Sequence, residues 1–419
     1  MHSGAELGVD LLVLGAAALV VVSAGRLSTF LRIPGSFFLL AAGAMVVSRI
    51  GPFRQADPHV VERIVTVALA FVLFDGGLRI GWRRLRPVIR PVVGLGIGAT
   101  GLCVAGAAAV TFLTTEVTWY QATLVGAAVA PTDPAVVFAL LGNRDPAVDD
   151  PGATILEGES GSNDPIGIAL LASLVAAGGL SGDAIGATAR EFFLQLVVGS
   201  AIGLAAAGGA VLVARRAGHV ASRPRGSIAL ASIFYPAGVL GLFFVTSAAH
   251  GSGFLAVFAA GIVLGDQPSS PRRTVPLFGR LAVVGEAAAF VALGLTIDLG
   301  VVARVDVWLP GLVLGLALTV LIRPVLGAGF LVRAKLTARE RVFVLVCGLK
   351  GAVPILLGLT LVARRVPDGP RLYGIVVVVV LLSVVVLGTA VPTIARALES
   401  PSGKAPPKGV EPGPAPSDA

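Results

Sequence analysis

The 419-residue sequence has little charge, since Asp, Glu, Lys and Arg make up 13% of it while 55% is hydrophobic. A soluble protein carries about twice this share of charged residues. So few charges cannot cover globular domains of this size, which excludes a soluble enzyme. Disorder and a collagen-like chain are also excluded, because the 54 Gly and 27 Pro are scattered through long apolar runs. With a mean hydropathy of +0.91, the composition indicates a polytopic membrane protein.

Cysteine and histidine are scarce as well, with two Cys and four His. Cys103 and Cys347 fall inside apolar runs, so we interpret them as small core residues without a disulfide or metal role. The net charge of +8 is carried in short loops between apolar runs, so we expect no nucleic-acid partner. No cofactor is expected. Glu6 and Asp10 stand where a signal peptide would be basic, which favours a first span over a cleaved leader.

Thirteen apolar segments approach the length that a helix needs to cross a bilayer, about 20 residues. We therefore expect an all-α polytopic membrane protein with about 13 transmembrane helices in residues 1–398. Residues 399–419 are rich in Pro and Gly and should form a disordered cytoplasmic tail. The predicted spans are Leu7–Ala24, Ile33–Val47, Val60–Ile80, Val88–Leu113, Tyr120–Leu141, Ala153–Leu174, Phe192–Ala214, Ile228–Ala248, Gly253–Leu264, Leu281–Leu299, Val307–Val332, Val342–Val362 and Leu372–Ile394.

The basic residues predict the orientation of these spans. Alternate loops hold 22 Lys and Arg residues, and the loops on the opposite side hold seven. By the positive-inside rule the basic side is the cytoplasm. The N-terminus should then lie outside and the C-terminus inside, in the cell inner (plasma) membrane.

Ionisable residues at membrane depth cost roughly 2.5–3.5 kcal/mol each, so every one is a functional candidate. Glu286 and Asp298 lie nearer the predicted span ends, where snorkelling to the interface favours a structural role. The deeper candidates are Asp75, Asp133, Glu157, Glu159, Asp164, Arg323 and Lys350.

Two spans are interrupted near their centres. Pro131 and Pro134 lack an N–H, so carbonyls in span 5 lose their partners, and span 12 is interrupted at 348–354. Simple Pro kinks would explain either interruption alone. Yet span 5 is the fifth of spans 1–6, span 12 is the fifth of spans 8–13, and the two cross the membrane in opposite directions. Paired broken helices of this kind are typical of secondary transporters with inverted repeats. Asp133 can face the positive helix N-termini there, and Lys350 the negative C-termini.

Span 6 places oxygen ligands on one helical face. Ser160 and Asp164 are four residues apart and share a face, as do Glu159 and Asn163. The hydroxyl and carboxylate of the first pair suit an alkali cation, whereas no His/Cys cluster supports a transition-metal site. Polar packing between helices is the alternative explanation.

The same segments resemble a known family. The runs are APTDP around Asp133, GESGSNDPIGIAL with Asn163 and Asp164, FDGGL at 74–78 and GLKGAVPI at 348–355. They resemble the first family of monovalent cation:proton antiporters, and in particular its NhaP/CvrA-type bacterial potassium(sodium)/proton antiporters. The resemblance implies a homodimer in which a mobile core domain slides against a dimerisation domain, and a role in pH homeostasis.

The resemblance also implies roles for individual residues. Asp164 would bind the cation and protons alternately. The cation site would be completed by Ser160, the main-chain carbonyl of Thr132, Asp75 and Asp133. A supporting polar group would comprise Glu159, Asn163, Arg323 and Lys350. Many members have Glu in place of Asp75 and Arg in place of Lys350.

One shared site is enough to couple the two flows. Removal of a carboxylate from water favours its protonated form, so a cation binds Asp164 only after the proton has left. If the site can move across the membrane neither empty nor with both ligands bound, competition at Asp164 makes the exchange obligatory. Asn163 beside Asp164 is neutral, and in the family Asn-Asp goes with electroneutral exchange of K⁺ or Na⁺ for H⁺.

Two other classes stay open on the sequence. An intramembrane serine protease would use Ser160 in Gly158–Gly161, with His250 as its base. That hypothesis leaves the buried carboxylates and Lys350 without a role, so we expect no enzyme. A cation channel would need neither buried titratable groups nor paired broken helices.

Overall fold

The computed structural model describes residues 35–49, 57–133, 151–217, 226–267 and 276–398, with isolated positions between 15 and 28. Within these ranges the chain forms helices and no strands, which confirms the all-α prediction. Most of predicted span 1, the second half of span 5 and the tail at 399–419 lie outside the described residues.

Sixteen α-helices occupy the described ranges. A 3₁₀ turn at Arg86–Val88 and π turns at Gly94–Ala99 and Ala317–Ile322 join neighbouring helices. In chain order the helices are α1 Gly35–Arg49, α2 Pro58–Leu85, α3 Ile89–Val93, α4 Thr100–Thr114, α5 Trp119–Val129, α6 Pro151–Ala177, α7 Gly182–Ala217, α8 Gly226–Ala248, α9 Gly253–Gly265, α10 Pro276–Gly294, α11 Leu299–Val302, α12 Val305–Leu316, α13 Arg323–Leu331, α14 Ala338–Val346, α15 Ala352–Ala363 and α16 Gly369–Leu398.

Several of these elements have the length and composition of membrane spans. Four described helical stretches are long and apolar enough to cross a membrane: Pro58–Thr114, Gly182–Arg216, Val305–Leu331 and Gly369–Val386. Shorter apolar helices occur at Gly35–Ser48, Phe234–Ala248, Gly253–Gly265 and Ala352–Ala363. The chain is therefore built from apolar helices, as a multi-pass membrane protein requires.

The end of predicted span 10 differs from the prediction. The sequence suggested Leu281–Leu299, but α10 begins at Pro276 and ends at Gly294. Asp298 instead starts the next helix, because its Oδ1 accepts the backbone N–H of Gly300 at 2.8 Å. Asp298 is thus a helix N-cap, a structural role different from the snorkelling expected near a span end.

Helices α1, α2, α9 and α10 pack against one another with their backbones in contact. A Cβ atom at Gly77 would collide with the main-chain oxygen of Phe258, and one at Gly261 with that of Phe74. Small residues allow such close approach, which membrane helices use in place of a hydrophobic driving force. We call these four helices the first group.

A second group consists of α4, α5, α6, α12, α15 and α16. In it α4 packs on α5, α12 on α16, and α15 on both α16 and α5. Cys103 on α4 and Cys347 after α14 are buried and free, as predicted. Helices α2 and α10 of the first group also touch α15, and α2 touches α6. The space between the groups contains the candidate site.

The two π turns lie in matching places. Gly94–Ala99 falls in predicted span 4 and Ala317–Ile322 in span 11, which is the fourth span of each predicted half. The turn at Gly94–Ala99 packs against Arg323–Leu331, the helix that follows the second turn. The turn at Ala317–Ile322 packs against Thr100–Thr114, the helix that follows the first turn. Such π turns occur frequently at functional sites, and the second one ends directly before Arg323.

Helix α2 changes direction near its end. Gly81 has φ of +63°, a conformation that residues with a Cβ rarely adopt. The break leaves the following N–H groups without helical partners, and Asp266 at the end of α9 accepts the N–H of Arg83 at 2.8 Å. This bond ties the end of α2 to the end of α9.

We predict that Gly81→Ala destabilises the protein by about 1–3 kcal/mol, because a residue held in a strained backbone region carries that cost. The new Cβ would also lie 2.5 Å from Oδ1 of Asp266. Thermal unfolding in detergent measures the effect as a lower melting temperature.

Gly101→Ala is the matched control, since no atom lies within 4 Å of the position where its Cβ would be. It should keep or slightly raise the melting temperature, because Ala favours the helix. Equal melting temperatures for Gly81→Ala and the wild type would contradict the prediction.

Candidate functional site

The two interrupted regions meet each other. Helix α5 ends at Val129, and the chain between α14 and α15 is not helical. The backbone N–H of Asp133 donates to the carbonyl of Leu349 at 2.8 Å. The Nζ of Lys350 donates to the carbonyl of Ala130 at 3.0 Å. Each interruption therefore supplies hydrogen-bond partners that the other lacks.

The charges at this meeting point match the helix ends. Lys350 is 5% exposed and bonds a carbonyl at the C-terminal end of α5, where the helix dipole is negative. The carboxylate of Asp133 packs directly against Gly351, the N-cap of α15, where the dipole is positive. The backbone N–H of Lys350 also donates to Ser383 Oγ on α16 at 3.1 Å, which fixes this segment to the last helix.

Asn163 on α6 holds the interruption after α5. Its Nδ2 donates to Thr132 Oγ1 at 2.8 Å, and its Oδ1 accepts the Thr132 N–H at 3.3 Å. The hydroxyls of Thr132 and Ser160 lie 3.0 Å apart, within hydrogen-bond distance. The resemblance grouped Asn163 with Glu159 and Arg323, whereas the structure bonds it to Thr132. Asn163 thus orients the main chain that carries Asp133.

Glu159 and Arg323 form a buried ion pair. The two guanidinium nitrogens lie 2.8 and 3.0 Å from the two carboxylate oxygens. The Glu159 side chain is 2% exposed and that of Arg323 12%. Such a two-bond geometry compensates much of the cost of burying both charges. Arg323 also packs on Gly348, where a Cβ would collide with it, so the pair abuts the interruption of span 12.

A cavity of about 380 Å³ separates the two helix groups next to the interruptions. Ser160 and Asp164 both line it, in agreement with their expected shared face. The other ionisable residues of its wall are Asp75, Arg79, Asp133, Glu157 and Glu286. The cavity therefore has carboxylates on several sides and one arginine.

Two of the carboxylates in the cavity wall, Asp75 and Glu157, have a basic partner in direct contact. Arg79 Nε donates to Asp75 Oδ2 at 2.7 Å, and Arg84 lies 3.4 Å from Glu157. By contrast, we find no hydrogen bond or ion pair from the side chain of Asp164 or Glu286 to the described residues. Asp164 is thus a membrane-depth carboxylate that lines the cavity without a direct basic partner among the described residues.

The cavity wall also contains Glu286, for which the sequence predicts a structural role. Glu286 was assigned a structural role near a span end, but α10 begins five residues before the predicted start of span 10. Glu286 therefore lies near the middle of its helix and in the cavity wall. Pro276, a favourable first residue of a helix, was the signal that could have placed that start correctly.

The ligands for an ion at Asp164 would be carboxylate, hydroxyl and main-chain carbonyl oxygens. Among the described residues, no three His, Cys, Asp or Glu side chains converge as a metal site. Ser160 in this wall supplies a hydroxyl, and the hydroxyl of Thr132, whose main-chain carbonyl is expected to complete the site, lies 3.0 Å from it. Oxygen ligands of this kind suit an alkali cation better than a transition metal.

The protease hypothesis is not favoured by the geometry. The hydroxyl of Ser160 is bonded to that of Thr132, and Ser160 is 1% exposed. His250 lies in the exposed turn after α8 and does not line the cavity. A nucleophilic serine needs its base within hydrogen-bond reach, and His250 makes no such bond to Ser160.

A larger cavity of about 490 Å³ lies among α1, α15, α16 and the segment from Leu295 to Val302. Its one carboxylate is Asp298, which is already engaged as a helix cap. Tyr373 and Thr296 there join their hydroxyls at 2.7 Å. This cavity has no unpaired charge to bind an ion.

Comparison with known proteins gives a consistent result. A family profile described as "Sodium/hydrogen exchanger, transmembrane" matches residues 16–397. The K(+)/H(+) antiporter NhaP of Alkalimonas amylolytica is 29% identical over 407 residues, which is 94% of this chain and 67% of the relative. The K(+)/H(+) antiporter NhaP2 of Shewanella sp. (strain MR-4) is 30% identical over 391 residues, 90% of this chain and 65% of the relative. The chain thus spans about two thirds of the length of these curated relatives.

A solved structure has the same fold. The sodium proton antiporter MjNhaP1 of Methanocaldococcus jannaschii at pH 8 superposes with a TM-score of 0.74 and 21% sequence identity. The match covers 94% of this chain and 99% of that chain. At this identity the likeness establishes the helical arrangement.

We predict that Lys350→Met lowers the stability of the protein by about 1.5–3 kcal/mol, the usual contribution of a hydrogen bond to a charged group. The variant keeps the length of the side chain but loses the bond to Ala130. Lys350→Arg keeps the charge and should unfold near the wild-type temperature in detergent.

Lys335→Met is the matched control, because Lys335 is exposed. It should leave the melting temperature unchanged. If Lys350→Met is as stable as the wild type but does not transport, Lys350 belongs to the ion pathway instead.

Proposed function

The chain belongs to the sodium/hydrogen exchanger family, and on this premise we propose that it exchanges K⁺ or Na⁺ for H⁺ across a membrane. The observation that carries the proposal is Asp164, a carboxylate without a direct basic partner in a cavity next to the non-helical segments that follow α5 and precede α15. A transporter of this kind is not an enzyme in the catalytic sense. The relatives bear K⁺/H⁺ and Na⁺/H⁺ antiporter names, which supports both cations as substrates.

Asp164 is the shared site in this proposal. The cation is held by Asp164, the hydroxyl of Ser160 and the carbonyl of Thr132, while Asp75 and Asp133 complete the site. A proton on Asp164 removes the negative charge that holds the cation, so the two ligands compete. Support comes from the position of Asp164, Ser160, Asp75 and Asp133 on one cavity, and from Asn163, which bonds Thr132 next to Ser160.

The same proposal assigns the side to which the cavity opens. The cavity residues lie in the second half of α2 and the first half of α6. Both of these ends lie toward the arginine-rich segment at 79–90, which the positive-inside rule places in the cytoplasm. The conformation is therefore inward-facing, with the N-terminus outside and the C-terminus in the cytoplasm of an inner-membrane protein.

The motion that completes the cycle follows from the packing. The first group of helices would serve as the dimerisation domain of a homodimer, and the second group would slide against it with Asp164. Backbone contacts through glycine within the first group support a rigid unit. Arg323 and Glu159 would remain paired throughout, because separation of a buried pair is costly.

We predict that Asp164→Asn abolishes exchange while the protein still folds, because the amide cannot carry the negative charge that both ligands need. Ser160→Ala should weaken the apparent cation affinity and leave residual exchange. The measurement is dequenching of a pH-sensitive dye in proteoliposomes after addition of K⁺, Na⁺ or Li⁺.

Melting temperatures in detergent are the control for folding of both variants. Wild-type exchange by Asp164→Asn would contradict the proposed mechanism. Complete loss with Ser160→Ala together with normal Asp164→Asn exchange would revive the protease hypothesis.

We also predict one-for-one, electroneutral exchange, because Asn163 is neutral beside Asp164. Na⁺-driven proton flux in proteoliposomes should then be insensitive to a potential clamped with valinomycin. Na⁺ is the transported ion in this assay because K⁺ sets the potential. A reproducible several-fold acceleration by an applied potential would exclude one-for-one exchange even if Asp164 is the site.

A further inference from the structure

Glu286 is the polar residue on the cavity side of α10. The residues of that side are Ala282, Val283, Glu286 and Ala289, which follow the helical repeat. Three of the four are apolar, so Glu286 places a lone carboxylate in an otherwise apolar wall. The helix belongs to the first group, whereas Asp164 belongs to the second, so the two carboxylates line the cavity from opposite sides.

A structural role for Glu286 would require a partner, because an uncompensated charge inside a membrane protein is costly. Arg79, the basic residue of this cavity, donates to Asp75 instead. Glu286 has no hydrogen bond or ion pair with the described part of the chain. In its ionised form Glu286 is therefore available to cations that enter the cavity.

Glu286 lies on the route from the basic end of the molecule to Asp164. The cavity extends from Pro354 beside the interrupted helix to Arg79, whose side chain is 45% exposed. Val283, one turn before Glu286, is 59% exposed and also lines the cavity. A cation that enters from this end thus passes the α10 wall before it reaches Asp164.

We propose that Glu286 concentrates hydrated monovalent cations in the cavity and delivers them to Asp164. The inference rests on the proposed exchange function. A negative charge in a cleft with apolar walls raises the local concentration of cations and their rate of arrival. The same charge attracts protons, so it raises the rate at which both the cation and the proton reach Asp164 from that side. The equilibrium of the exchange reaction does not change.

The test is the cation dependence of exchange by Glu286→Gln, measured separately from each face in everted and right-side-out membrane vesicles. From the cytoplasmic face the apparent KM for Na⁺ and K⁺ should rise roughly tenfold, the lower end of the electrostatic effects seen in charged clefts. From the outer face the KM should be unchanged, as should the maximal rate. The rise should shrink when ionic strength is increased with N-methylglucamine chloride, which screens the charge.

Two further variants sharpen the test. Glu116→Gln removes an exposed carboxylate between α4 and α5, outside the cavity, and should behave as the wild type from both faces. The double variant Val283→Glu/Glu286→Gln moves the charge one turn along the cavity wall. It should restore most of the apparent affinity for Na⁺ and K⁺ at the cytoplasmic face. Electrostatic attraction of a cation into the cavity does not require the carboxylate to stand at one fixed position.

The outcomes separate this inference from the proposed function. A wild type without exchange refutes the function itself. If the wild type exchanges and Asp164→Asn does not, an unchanged cytoplasmic KM in Glu286→Gln overturns the inference alone. A KM that rises equally from both faces, or exchange lost at saturating cation, also overturns it, because Glu286 would then belong to the moving site.

Discussion

The architecture depends on one constraint: α5 ends and the chain between α14 and α15 leaves the helical conformation inside an apolar medium, and the backbone groups there must find partners within the protein. The structure meets it by bringing the interruptions together, with Lys350 on the carbonyl of Ala130 and the Asp133 N–H on Leu349. Neighbouring helices then hold the junction, through Ser383 on one side and Asn163 on the other. Asp164 has a defined surrounding because these bonds leave little freedom to the chain around it.

The sequence predicts the parts of this site that follow from local chemistry. Pro131 predicts a break wherever it falls in a helix, because the missing N–H is a property of the residue itself. The shared face of Ser160 and Asp164 follows from helical geometry alone. The helical class and the apolar spans are predicted equally well, since a bilayer admits few other solutions.

The remaining parts depend on contacts between distant segments. Asn163 stands one residue before Asp164, but its bonds to Thr132 across 31 residues cannot be inferred from spacing. Glu286 was misjudged because the predicted span began five residues too late, which moved a mid-helix residue to an apparent end. Side-chain partners and helix starts are decided by packing, which a single sequence does not report.

The pairing of charges has an electrical consequence. Glu159 with Arg323, and Asp133 with Lys350 at opposite helix ends, add no net charge to the surroundings of Asp164. In the proposed cycle, Asp164 without a ligand adds one negative charge to these four residues, and a bound proton or monovalent cation neutralises it. Transfer of a bare ion into a low-dielectric medium costs several kcal/mol even after relaxation. In the proposed exchange cycle this electrostatic cost would oppose the movement of the site without a ligand, and it would thereby limit leak currents that dissipate the ion gradients.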